Sequence, residues 1–206
     1  MSFVTHLESA LDGTHFPAGQ VHTLHKGRPI VVKYDLPAIK EAVTKHDLRH
    51  REPTLWRYRE LLPVRHDENI VTLGEGMTPL LTCPRLGAAL GLHGGLLQIK
   101  DESQLPTGSF KSRGMALAVS MAKELGIKRL ALPSAGNAGG AAAAYGARAG
   151  MESVHVFMPS DTPMINQYEC VMAGARTYLV ENALINDCGK IVQQGNEHGM
   201  ECTNDF

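Results

Sequence analysis

"KRLALPSAGNAGGAAAAYGARAG", Lys128 to Gly150, reads as a strand, a glycine-rich loop and a helix in direct succession. The apolar run "KRLALP" is short and ends in proline, which suits a strand. The alanine-rich stretch that follows is built of strong helix formers and stops on Gly150. Downstream the alternation continues through strand "SVHVFM", helix "TPMINQYECVMAG", strand "ARTYLV" and helix "ALINDCGKIVQQGNEHG", with the closing "ECTNDF" expected to open another strand. Upstream, "SRGMALAVSMAKELG" is a helix closing on Gly126, and "LLQIK" before it is a strand expected to form a βαβ unit with "KRLALP". Strands therefore start near residues 128, 153 and 175, a spacing that fits right-handed parallel crossovers. The fold class is α/β, with parallel sheets and helices on both faces.

Residues 1 to about 55 differ in character, being polar and rich in histidine. Here "RPIVVKY" predicts a strand and "LPAIKEAVTKHDL" a helix, and the region reads as a separate lobe. From Pro53 onward "PTLWRYRELLPV" has a short helical pattern, "LGEGMTPLL" is a turn running into apolar residues, and "RLGAALGL" is a short helix.

A chain of 206 residues can bury roughly 70% of its unfolded surface as one domain, so a sizeable core is available. Lys and Arg total 20 against 21 Asp and Glu, a balance that gives no field for nucleic acid or an anionic membrane. Small molecules are the expected partners. Cys83, Cys170, Cys188 and Cys202 form no CxxC pair, which suits a reducing compartment and offers no zinc framework. The N-terminus lacks the apolar core of a signal sequence and no run approaches a membrane span. The expected location is cytoplasmic.

Two loops carry unusual chemistry. "PTGSFK" ends on Lys111, and "SAGNAGG" runs from Ser134 to Gly140; both precede helices. Backbone N–H groups and the positive end of the dipole make such loops attractive to carboxylate or phosphate. Gly136, Gly139 and Gly140 permit close approach, and Asn137 supplies a directional donor and acceptor. Lys111, beside Phe110 at a helix N-terminus, is expected to be partly desolvated, which favours the neutral amine that can condense with an aldehyde.

"PTGSFKSRGM", "SAGNAGGAAAAYGARAG", "LGEGMTPLL" and "PTLWRYRELLPV" together resemble threonine synthase, a pyridoxal phosphate enzyme family of the tryptophan synthase β-like fold. The lysine motif is shared with serine and threonine dehydratases, while the other N-terminal stretches resemble threonine synthase more narrowly. The resemblance implies that Lys111 carries pyridoxal 5'-phosphate and moves protons, with Phe110 at the cofactor. It implies that Asn137 hydrogen-bonds the cofactor's phenolic oxygen, and that Ser134, Ala135, Asn137 and Ala138 hold the substrate carboxylate. The implied reaction is a carbon–oxygen lyase step of threonine biosynthesis, from O-phospho-L-homoserine and water to L-threonine and phosphate. Arg113, Lys100 and Ser109 are the candidates for the substrate phosphate. A homodimer of the full-length protein is left open.

On the same resemblance, residues 1–55 form an N-terminal lobe, 56–114 part of the large cofactor domain, and 115–206 the small α/β domain. The family's lysine motif commonly continues with Asp, where this chain has Ser112, expected to serve as a helix cap. Relatives often begin with a cysteine-rich zinc ribbon, but residues 1 to 82 hold no cysteine, so no metal is expected. His46 with His50, and His22 with His25, lack a third ligand and read as solvated. Family members continue well past Phe206, through a loop for the cofactor phosphate. The chain is thus expected to be a fragment with apolar faces exposed between residues 56 and 111, holding cofactor weakly and turning over little by itself. A dehydratase-like lyase and a catalytically inactive α/β module are the competing readings.

Overall fold

A computed structural model describes residues 2–197. The strand expected in "ECTNDF" lies outside the described residues. The chain opens with β1 (Val4–Ser9), β2 (His15–Phe16), β3 (Leu24–His25) and β4 (Arg28–Tyr34), which form an antiparallel sheet of order β2-β1-β4-β3. The helix expected over "LPAIKEAVTKHDL" is broken into α1 (Leu36–Ala42) and α2 (Lys45–Arg49). Val43 is extended, and Thr44 and Asp47 cap α2 reciprocally, with Asp47 Oδ2 accepting from Thr44 N at 2.8 Å. That capping box satisfies orphan N–H groups which a continuous helix would not leave.

A 3₁₀ helix, Leu55–Leu61, leads to β5 (Leu80–Thr82), α3 (Pro84–Ala89) and β6 (Gln98–Lys100). The structure corrects the expected βαβ unit here, because β6 pairs antiparallel with β5 and not with the next strand. As expected, apolar residues of this hairpin face outward, with Leu80 at 56% and Leu96 at 74% exposure.

The remaining elements are α4 (Lys111–Glu124), β7 (Arg129–Pro133), α5 (Asn137–Ala149), β8 (Ser153–Pro159), α6 (Met164–Met172), β9 (Arg176–Val180) and α7 (Ile185–Glu197). β7, β8 and β9 are parallel neighbours in that order. Among the described residues this is the one parallel sheet.

Strand alternation divides its side chains between two layers. Leu130, Leu132, Val154, Val156 and Met158 join Met115, Val119 and Tyr145 of α4 and α5 in the main core. Ala131 and Phe157 point the other way, onto Cys188 and Val192 of α7. Helices thus cover both faces. The close seat of α5 depends on Gly146, where an added Cβ would stand 2.4 Å from Val154 Cγ2.

Candidate active site

β7 and β8 are parallel, and α4 and α5 lead into them, so the two helices run in the same sense. Their N-termini, bearing Lys111 and Asn137, therefore face the same carboxyl end of the sheet, where open α/β folds bind ligands.

Lys111 begins α4 and is half-buried, its Nζ 4.6 Å from the centroid of the exposed Phe110 ring. Ser112 does not cap the helix: the cap position is Phe110, without a side-chain hydrogen bond. Ser112 is instead fully buried in the first turn. Its Oγ accepts from Thr107 N at 3.2 Å and lies 2.7 Å from Thr107 Oγ1. The hydroxyl thus ties down the loop that presents the lysine, a local bond competing with the cap role. Ser109 is buried, and its Oγ has no hydrogen-bond partner among the described residues.

In the second loop, Ser134 is buried and its hydroxyl is spent on the loop itself. Oγ accepts from Gly139 N at 2.8 Å and donates to Gly136 O at 2.9 Å. Ala135 and Asn137 are exposed and Ala138 is half-buried. Asn137 Oδ1 accepts from Asn166 Nδ2 at 3.4 Å. In the first turn of α5, Gly139 N also donates to Gly136 O at 3.0 Å, and the positive end of the helix dipole faces outward at Asn137 and Ala138.

Behind the lysine loop lies a polar network that sequence reasoning missed. Glu75 is fully buried, accepting from Tyr145 Oη at 2.6 Å, Thr72 Oγ1 at 3.0 Å and Leu73 N at 3.0 Å. Ser112 adjoins the same phenol, so α5, the lysine loop and "LGEGMTPLL" are joined through Tyr145. Nearby, Glu102 receives a two-pronged contact from Arg113, Nε at 2.6 Å and Nη2 at 2.9 Å. Thr78 Oγ1 also donates to it, and Lys100 Nζ donates to Thr78 O at 2.6 Å. Arg113's hydrogen bond, then that of Thr78, holds the Glu102 carboxyl down at about 2. The visible signal was the glutamate bracketed by two glycines in "GEG"; Glu102 had none.

Lys100 and Arg113 thus come together, on the wall of a cleft of about 400 Å³ shared with Thr54, Arg57, Tyr58 and Met77. Ser109 does not line it. A separate apolar cavity of about 230 Å³ lies between the N-terminal sheet and the later turns of α4, lined by Leu7, Val32, Met121 and Leu125.

The residues present suit an aldehyde cofactor bearing an acidic hydroxyl. They offer a primary amine at Lys111, an exposed amide at Asn137 and a buried unpartnered hydroxyl at Ser109. Both loops also border open space, since a Cβ added to Gly108 or Gly136 would meet nothing within 4 Å.

Comparison with known proteins agrees with this chemistry. The chain is 37% identical over 161 residues to a threonine synthase of Methanocaldococcus jannaschii, covering 78% of this chain and 39% of the relative. It is 40% identical over 146 residues to a threonine synthase of Methanosarcina acetivorans, covering 70% and 34%. The chain spans about two-fifths or less of the length of these curated relatives. The crystal structure of serine racemase from Dictyostelium discoideum is similar in fold, with a TM-score of 0.51 and 25% identity over 63% of this chain and 41% of that one. Residues 71–205 match the family described as "Pyridoxal-phosphate dependent enzyme", and the chain belongs to that family.

Proposed function

We propose that this chain is the lysine-bearing part of a threonine synthase, converting O-phospho-L-homoserine and water to L-threonine and phosphate. The observation that supports this most is the identity to threonine synthases from two organisms over most of the chain. The proposed division is an N-terminal lobe at 1–55, part of a large cofactor domain at 56–114 and a small α/β domain at 115–206. No helix among the described residues is long and apolar enough to cross a membrane, and the proposed location is the cytoplasm. The proposed partner is a small amino-acid substrate, with neither nucleic acid nor membrane.

Lys111 would hold the cofactor through Nζ, with Phe110 beside it and Asn137 donating to the phenolic oxygen. When bound, pyridoxal phosphate supplies an electron sink for charge developing on the substrate's carbons. Lys111 Nζ would also be the group that accepts and returns protons at those carbons. Ala135, Asn137 and Ala138 would offer backbone N–H groups to the carboxylate, while Ser134, whose own N–H donates to Phe157 O at 3.0 Å, fixes the loop's shape through Oγ. Lys100 and Arg113 place positive charge on the cleft wall for the substrate phosphate, and Glu102 fixes the guanidinium plane.

The test is an assay of the intact full-length protein, supplied with pyridoxal phosphate, on O-phospho-L-homoserine and separately on threonine. Release of threonine and phosphate from the first supports the reading. A 2-oxo acid formed from threonine, with no turnover of the phosphate ester, assigns the chain to the dehydratases instead.

A further inference from the structure

His6 and Glu8 are two apart on β1 and so project from the same face, and His15 on β2 is the direct cross-strand partner of Glu8. His6 Nε2 lies 3.8 Å and His15 Nε2 3.6 Å from Glu8 Oε2, and the two rings are 4.0 Å apart between centroids. Among the described residues these three side chains bring their ligand atoms within 4.8 Å of one another. The pairs His22/His25 and His46/His50 have no such third ligand among the described residues.

We infer that His6, Glu8 and His15 form a binding site for a divalent transition-metal ion, with zinc(II) the best match. Two imidazoles and a carboxylate are a common three-ligand set for zinc, leaving a fourth position open. Ligand arms of about 2.0–2.1 Å at tetrahedral angles place donor atoms about 3.3 Å apart, so the two imidazole-to-carboxylate distances, 3.6 and 3.8 Å, require only a small contraction, and the two imidazole nitrogens lie within 4.8 Å of each other.

The surroundings prepare the ligands. Thr5 Oγ1 lies 3.2 Å from Lys33 O, to which it can give its hydrogen, and 2.9 Å from His6 Nδ1, from which it then accepts. That bond puts the ring proton on Nδ1 and leaves the Nε2 lone pair toward Glu8. His6 Nε2 is buried and has no hydrogen-bond partner among the described residues. Lys33 Nζ occupies the other carboxylate oxygen, Oε1, at 2.8 Å, leaving Oε2 to the histidines. An ion there would staple the two-residue strand β2 to β1.

The protein, stripped with a chelator, is titrated with zinc(II) by calorimetry and with cobalt(II) by visible absorption. One equivalent of zinc should bind, and cobalt should give the intense visible bands of a four-coordinate site. Zinc should also raise the melting temperature. Thr5→Val, which leaves all three ligands in place, should weaken zinc binding about ten- to a hundredfold. His15→Ala should abolish it with the circular dichroism unchanged, Lys33→Met should tighten it, and His46→Ala should leave it unaltered. If the parent binds no zinc, or if Thr5→Val and His15→Ala bind it as well as the parent, the trio is only an ion-pair cluster around Glu8 and the inference falls.

Discussion

The phenol of Tyr145 donates to Oε2 of Glu75 at 2.6 Å, across 70 residues of sequence, and both side chains are fully buried. A carboxylate without water must be met by donors, and Glu75 has three. Because Ser112 adjoins the same phenol, the loop that presents Lys111 is anchored to α5 through this contact.

Tyr145→Phe deletes one donor to a buried carboxylate and should cost about 2–3 kcal/mol in urea denaturation. Burial first, then the hydrogen bond to Glu75, pushes the phenol well above its ordinary value of 10.0. The folded state therefore keeps a proton that the unfolded chain releases. The associated stability is complete below about pH 10 and is lost as pH rises beyond it. Tyr145→Phe should flatten that alkaline decline, measured as urea midpoints on either side of about pH 10.

Glu102 carries the opposite sign. Its folded carboxyl is held down at about 2 by Arg113 and then Thr78, against 4.5 as the ordinary value. The stability it contributes is present above about pH 4.5 and is lost as pH falls toward about 2. Glu102→Gln should therefore show a shallower loss of stability than the parent between pH 4.5 and 2, read from denaturation midpoints. An acid limb of unchanged steepness would contradict the role given to this pair.

Gly76 sits where a side chain has no room. A Cβ there would lie 2.5 Å from Pro53 O and 2.8 Å from Thr54 Cα, both backbone atoms that cannot swing aside. Gly76→Ala should destabilise by about 1–3 kcal/mol, as other overpacking changes do. Gly108→Ala meets no atom within 4 Å but carries φ +65°, so its cost should be conformational and smaller.

The second half of the fold was legible because its strands are short apolar runs closed by glycine or proline, with Leu130, Leu132 and Val156 pointing into one core. The N-terminal sheet was only partly so. β1 carries His6 and Glu8 on one face, which hides its period-two signal behind polar residues. For β6, adjacency in sequence said nothing of its pairing partner, and the neighbour proved to be β5. Ser112 looked like a cap because serine often is one, yet its hydroxyl is buried against Thr107. The loops bearing Lys111 and Asn137 stood out by composition. The network behind them did not, because Glu75 to Tyr145 and Thr78 to Arg113 are contacts between distant segments that only the folded chain reveals.

The central claim is that Lys111 is the amine that takes the cofactor. Incubation of the protein with pyridoxal phosphate, reduction with borohydride and peptide mapping tests it without any need for turnover. The account predicts the reduced label on the peptide containing Lys111, and its disappearance in Lys111→Arg with the fold retained. Label spread over other lysines, or unchanged in Lys111→Arg, would contradict it.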